Sequence, residues 1–236
     1  MKRLIAGLLM AALLLPLRAH ADDAAPAACP PPTGPLVTTT PVPGTPKFAD
    51  RYAAIRQRLT TTRFDVIVLG DSLIHAWPQA LLDTIAPGPV LNAGFGADKT
   101  ENVLWRLQDL DWSKQSPRAV LLLIGTGNIG HPLCNIMAGL SAVIARIHAT
   151  LPQARVLVIS LLPRGVDMGA FADKITDINL RLGAMQQMAG FTLIDVHDRF
   201  LCDHRTPCAL FNPDNLHLAK PGYALLTSLV RPVVDH

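Results

Sequence analysis

Ser72 closes the run Val66-Ile67-Val68-Leu69-Gly70-Asp71-Ser72, and Asp214 and His217 stand three residues apart near the other end of the chain. A hydroxyl, an imidazole and a carboxylate are the parts of an activated nucleophile. The imidazole removes the hydroxyl proton, and the carboxylate fixes the imidazole tautomer. On one turn of helix a spacing of three puts Asp214 and His217 on the same face. A serine just after a strand is more often a helix N-cap, so Ser72 needs its distant partners to read as a nucleophile. It also needs donors that hold the negative charge developing on a tetrahedral intermediate.

An apolar, β-branched run ending in Gly-Asp-Ser predicts a strand buried on both faces, followed by a helix. Strands are expected at Phe64 to Leu69, Val90 to Ala93, Ala119 to Ile124, Arg155 to Leu162 and Phe191 to Val196. Helices are expected at Lys47 to Thr60, at Lys99 to Leu110, from about Asn135 to Thr150, at Phe171 to Ala189 and from about Pro221 to Val233. A further helix after Ser72 is broken near Trp77-Pro78. His197 to Asn212 reads as a long loop. Strand and helix alternate throughout, which predicts an α/β chain with a parallel sheet covered on both faces. Three strand ends then share one edge of the sheet: Gly70-Asp71-Ser72, Gly94 to Asp98, and Gly125 to Asn128. Ligands bind outside the carboxyl ends of strands in such sheets.

These motifs, in this order, resemble the SGNH/GDSL hydrolases. The resemblance covers about residues 63–230 and rests on Gly70-Asp71-Ser72-Leu73, the turn 94–98, Gly125-Thr126-x-Asn128 and Asp214-x-x-His217. Leu91-Asn92-x-Gly94-x-Gly96-x-Asp98, Val103-Leu104-Trp105-Arg106-Leu107, Leu161-Leu162-Pro163-Arg164-Gly165 and Leu216-His217-Leu218 are similar to the platelet-activating-factor acetylhydrolase IB catalytic-subunit type. The resemblance implies a three-layer, flavodoxin-like fold with a five-stranded parallel sheet, and an esterase without metal or cofactor. It implies Ser72 as nucleophile, His217 as general base and then acid, and Asp214 as its orienting partner. The oxyanion donors would be the backbone N–H groups of Ser72 and Ala97 and an Asn side chain. Two positions depart from the pattern. Ala97 stands where the family has Gly. Gly127 stands where the family has the oxyanion Asn, and Asn128 follows it. Either Asn128 swings in as a substitute, or the hole lacks its third donor at a cost of about 3–4 kcal/mol in the transition state.

Trp77, Phe95 and His131 are candidates to line an acyl pocket. Asp71 and Asp98 are expected to cap the active-site turns, and Trp105 to be core. His75, His131, His197 and His204 match no metal-ligand spacing beside Asp195, Asp198 or Asp203. Gly94-Phe95-Gly96 lacks the third glycine of a dinucleotide fingerprint.

The length suits one α/β domain. Met1-Lys2-Arg3, the apolar run Leu4 to Leu17 and Ala19-His20-Ala21 read as a secretory signal peptide over 1–21, with an uncleaved anchor as the alternative. The apolar run is short for a membrane span, and no other span is expected after it. Cys29 after Ala27-Ala28 faintly suggests a lipoprotein box, too far from the apolar run to favour lipidation. Residues 22–46, rich in Pro, Ala and Thr, are expected to form a disordered tether, with the hydrolase domain over 47–236. The chain has 21 Lys+Arg and 18 Asp+Glu. Loss of Lys2, Arg3 and Arg18 with the signal leaves equal numbers, so the charge gives no support for a nucleic-acid partner. The expected compartment is periplasmic or secreted. Four cysteines there suggest disulfides. Cys202 with Cys208 is the first pairing to consider, leaving Cys29 with Cys134, though three pairings are possible.

The expected substrate is a small-molecule or polysaccharide ester with a short acyl group. A weak or silent module that binds acylated glycan, or an acyltransferase using the same residues, are the alternatives. The sequence carries no signal for an oligomeric state.

Overall fold

A computed structural model describes residues 29–235. The segment read as a signal peptide, residues 22–28 and His236 lie outside the described residues. Five strands form one sheet: β1 Val66–Gly70, β2 Val90–Gly94, β3 Ala119–Leu123, β4 Arg155–Ile159 and β5 Phe191–Ile194. Every pairing is parallel and the order is β2-β1-β3-β4-β5. β1, β2 and β3 are buried along their whole length, as continuous apolar runs require in a sheet with both faces covered. Seven helices accompany them among the described residues: α1 Ala49–Thr61, α2 Ser72–His75, α3 Gln79–Leu82, α4 Thr100–Asp109, α5 Leu133–Thr150, α6 Ala172–Ala189 and α7 Lys220–Asp235. α4, α5 and α6 pack side by side, and α3 packs on α7. This is the three-layer α/β arrangement expected from the sequence.

The register decides where the site lies. Gly70 pairs with Gly94 on one side and Leu123 on the other, so the loops after β1, β2 and β3 leave the sheet from one rung. The strand order turns back beside β1, where a crevice opens in sheets of this kind. Gly70 is needed there because a Cβ would stand 2.1 Å from the Leu123 carbonyl oxygen and 2.5 Å from Ile74 Cγ1. Buried Asn92 fastens the two neighbouring loops. Its amide donates to the carbonyls of Ile74 at 2.7 Å and Trp77 at 3.2 Å, and its carbonyl oxygen accepts from Gly94 N–H.

β4 and β5 end earlier than their apolar runs suggest. Beyond β4 the Leu161 main chain is taken over by the Asn179 side chain, which accepts its N–H at 2.8 Å and donates to its carbonyl at 3.0 Å. α5 is long and apolar enough to cross a bilayer by composition. Its apolar face, Ile136, Leu140, Val143, Ile144 and Ile147, lies in the core of the domain.

The tether expected over 22–46 is corrected over its described part. Val37–Thr39 forms a 3-10 turn and Thr38 is fully buried. Thr38 Oγ1 donates to Asn135 O at 2.7 Å, and its carbonyl accepts from Thr100 Oγ1 at 2.8 Å. Gly139 leaves room for this approach, since a Cβ would meet Thr100 Oγ1 at 2.6 Å. Cys29 is bonded to Cys134 at the start of α5, and Cys202 to Cys208. The arm is laid against α4 and α5 and covalently fixed there.

Candidate active site

Ser72 is the first residue of α2, and Asp71 is its N-cap. Asp71 Oδ1 accepts from Leu73 N–H at 2.9 Å. The cap is satisfied by Asp71, so the Ser72 hydroxyl is left for other work. His217 reaches it from the far end of the chain: Nε2 lies 2.8 Å from Ser72 Oγ, and Nδ1 lies 2.6 Å from Asp214 Oδ2.

Asp214 and His217 do not share a helical turn, as their spacing suggested. They lie in a turn in which Asn215 has φ 52°. The Asp214 carboxylate builds that turn itself, with Oδ1 accepting from the N–H groups of Leu216 and His217 at 3.0 Å each. An antiparallel bridge, Phe211 with Leu218, closes its base. Burial pushes the Asp214 carboxyl upward, but the hydrogen bonds from the His217 ring and the two backbone N–H groups outweigh it and hold it below the usual range. An ionised Asp214 can only accept, so Nδ1 carries the proton and Nε2 is free to accept from the Ser72 hydroxyl.

Ser72 and Ala97 line the same cleft. Ala97 sits in the turn Phe95–Asp98 at φ 62°, a left-handed conformation that its Cβ resists. Asp98 anchors this turn, though by a different means than capping. It is buried and takes a two-pronged ion pair from Arg106 of α4, at 2.5 and 2.9 Å. Ala97→Gly should relieve the strain without removing the N–H. We expect it to raise stability by about 0.5–1 kcal/mol in urea unfolding.

Asn128 does not enter the cleft. It is fully buried in the 3-10 turn Thr126–Asn128, and both ends of its amide are committed to α4. Oδ1 accepts from Thr100 N–H at 3.0 Å, and Nδ2 donates to Glu101 Oε2 at 2.9 Å. Its expected part as an oxyanion donor is therefore corrected: it latches the start of α4 to the β3 loop. Gly127 faces the cleft instead, without a side chain.

The expected pocket residues also move. Trp77 is buried and donates its indole N–H to Thr227 Oγ1 at 3.0 Å, with its ring beside Tyr223. Phe95 is buried beneath Arg106, whose Cζ lies 3.3 Å from the ring centroid. His131 is half-buried behind the β3 loop, its backbone N–H bonded to Asn128 O. Trp105, expected in the core, is half-buried against Tyr52. The cleft walls are Thr126, Gly127, Ile129, Arg164 and Leu216, around Ser72, Ala97 and His217, enclosing about 380 Å³. Arg164 was visible only as part of a motif. Its Nη1 donates to Thr126 O at 3.1 Å and Thr126 Oγ1 at 2.9 Å.

Asp71 Oδ2 is buried and has no hydrogen-bond partner among the described residues. Burial pushes its carboxyl up to about 7. Between pH 4 and 7 the folded state therefore keeps a proton that the unfolded chain has released. The stability this confers is complete below about pH 4 and is lost as pH rises to about 7. Asp71→Asn cannot titrate, so its stability relative to wild type should climb across that window, by up to about 4 kcal/mol. Urea unfolding of both proteins at pH 4.5, 6 and 8 measures the gap, and a gap that stays flat would contradict the assignment.

A hydroxyl, an imidazole and a carboxylate so arranged can perform nucleophilic acyl transfer. The model of the GDSL-like Lipase/Acylhydrolase family matches residues 68–225. Platelet-activating factor acetylhydrolase IB subunit alpha1 of Homo sapiens is 32% identical over 162 residues, covering 67% of this chain and 70% of that protein. Subunit alpha2 of Rattus norvegicus is 31% identical over 165 residues, covering 68% and 71%. Among solved structures, a GDSL-like lipase from Bacteroides thetaiotaomicron superimposes with a TM-score of 0.63 at 16% identity, covering 80% of this chain and 96% of that one. A variant of an acetyl-xylooligosaccharide esterase from Geobacillus does so with a TM-score of 0.59 at 12% identity, covering 73% and 94%. With its fold, its matched motifs and a relative above 30% identity agreeing, this chain belongs to the GDSL-like lipase/acylhydrolase family.

Proposed function

We propose that the protein is an exported serine esterase that removes short acyl groups, acetyl foremost, from an alcohol oxygen, with Ser72, His217 and Asp214 as its catalytic residues. One observation carries the reading: the Ser72 hydroxyl, the His217 ring and the Asp214 carboxylate form a continuous hydrogen-bonded line at the carboxyl edge of the sheet. As Ser72 Oγ attacks the acyl carbon, its proton passes to His217 Nε2. His217 then gives that proton to the alcohol oxygen as the C–O bond breaks. Water attacks the acyl-enzyme, its proton goes to His217, and the proton returns to Ser72 Oγ as the carboxylic acid leaves.

Support for acetyl comes from the names of relatives that are 32% and 31% identical over 162 and 165 aligned residues. Support for export comes from the signal-like start of the chain and two disulfides, which persist in an oxidising compartment. A cell-surface carbohydrate ester follows from that compartment. The test is labelling by a fluorophosphonate together with hydrolysis of p-nitrophenyl acetate and an acetylated sugar. Rapid labelling that Ser72→Ala abolishes is the expected result.

A second reading has one observation in its favour. The Asn128 amide is turned away and Gly127 supplies no side chain, so the oxyanion hole is one donor short. A nearly silent module that binds acylated glycan would label slowly at Ser72 yet retain the glycan.

A further inference from the structure

The two ends of the cleft differ. On the β2 side stands Ala97, with its backbone donor. On the β4 and β5 side stand Arg164, from the loop after β4, and His217, from the loop after β5. These two loops are tied together, Gly165 N–H donating to Asn215 O at 2.8 Å. In the reaction above, His217 protonates the departing alcohol. The alcohol portion of the substrate therefore lies on the His217 side of the cleft, and Arg164 borders that portion.

Arg164 is half-buried and takes part in none of the ion pairs among the described residues. Its hydrogen bonds to the protein both leave from Nη1, which Thr126 holds. That tether orients the guanidinium plane, and its remaining N–H donors have no acceptor among the described residues. Of the carboxylates that line the cleft, Asp98 is matched by Arg106, and Asp71 feels the Arg164 charge without forming an ion pair with it. A half-buried, pre-oriented guanidinium with donors to spare suits a planar carboxylate, which it can engage with two parallel hydrogen bonds.

We propose that Arg164 forms a carboxylate subsite on the leaving-group side of the cleft, so that the preferred substrate is an acyl ester of an acidic sugar such as a uronic acid. This inference rests on the esterase reading, because that reading decides which side the alcohol occupies. Arg164 is here a specificity residue, and Ser72, His217 and Asp214 keep their roles.

The test compares one acetylated methyl glucuronoside with the methyl glucoside acetylated at the same position. Wild type should favour the acid by about 10- to 100-fold in kcat/KM, carried mainly by KM. The methyl ester of the glucuronoside, which keeps the shape and loses the charge, should fall to the level of the glucoside. Arg164→Gln should bring the acid-to-neutral ratio close to one. Arg164→Lys should restore part of it, since lysine keeps the charge without the fork. A wild-type ratio of one or less overturns the proposal. So does an Arg164→Gln protein in which both substrates slow together at an unchanged ratio, which would make Arg164 a donor to the reacting group. Titration of Ser72→Ala with the two acetylated sugars reads the same preference without turnover. Absence of hydrolysis with a retained binding preference would sink the esterase reading alone. Equal binding of both sugars would sink the subsite.

Discussion

Ser72→Ala is expected to lower kcat for p-nitrophenyl acetate by about 10⁴-fold or more while leaving KM within a few-fold. In the proposed mechanism the hydroxyl oxygen forms the covalent bond, and no cysteine can replace it, since all four are in disulfides. The substitution removes the Oγ at 2.8 Å from His217 Nε2 and little else. The backbone N–H of residue 72 stays, and so does the Asp71 cap on Leu73 N–H. Residual hydrolysis should come from the remaining backbone donors and from water activated by His217. His217→Ala should cost nearly as much, and the double variant should be hardly worse than either. Groups that act as one unit cannot be lost twice. Steady-state kinetics of the three variants, with thermal unfolding to check the fold, measures this. Equal rates for wild type and Ser72→Ala would end the nucleophile assignment.

The fold and the central line of the site were legible because they rest on local signals. Apolar runs such as Val66 to Leu69 and Ala119 to Leu123 are too short for helices and too continuous for a half-exposed strand, so their burial on both faces follows. Once the strands are parallel, their ends must share an edge, and Ser72 and His217 fall together. The Asp-x-x-His spacing pointed to the right contact by the wrong local structure. The pair sits in a turn that the Asp214 carboxylate nucleates, and three residues of such a turn bring the side chains as close as a helix would.

What was not legible depends on contacts between distant segments. Asn128 and Gly127 are neighbours in a 3-10 turn, where successive side chains point in different directions. Only the position of Thr100 and Glu101 decides that Asn128 turns inward. Phe95, a candidate for the pocket, is not among the residues that line the cleft. Arg106 from the next helix covers it instead, drawn there by Asp98. The arm 29–46 has the composition of a tether, but composition averages away the one threonine, Thr38, whose two hydrogen bonds and burial settle where it lies. Arg164 stood within a recognisable motif, yet its tether to Thr126 across the cleft wall is a fact of three dimensions.

The oxyanion hole offers the second large effect, and it should be a gain. Placing a side-chain amide at position 127 supplies the donor that this chain lacks and the family pattern contains. One such donor, aimed at a charge that exists only in the transition state, changes kcat by about 10²- to 10³-fold. KM should hardly move, because the ground-state carbonyl oxygen carries little of that charge. The backbone is compatible: Gly127 lies in the turn Thr126–Asn128 and faces the cleft. The space is tight, since a Cβ would stand 3.1 Å from Lys99 Cγ and 3.2 Å from Asp98 O. Lys99 is a flexible side chain, and the helix start there is secured by its backbone N–H, which donates to Asn102 Oδ1 at 2.9 Å. Lys99→Ala therefore clears room without loosening α4. Gly127→Asn should raise kcat towards p-nitrophenyl acetate, and Gly127→Asn with Lys99→Ala should raise it further, up to the full factor. Gly127→Ala with the same Lys99→Ala change fills the space without the amide and should give no gain. If the alanine and asparagine versions behave alike, the missing donor is not what limits the enzyme, and Ser72 and Ala97 hold the oxyanion without a third partner.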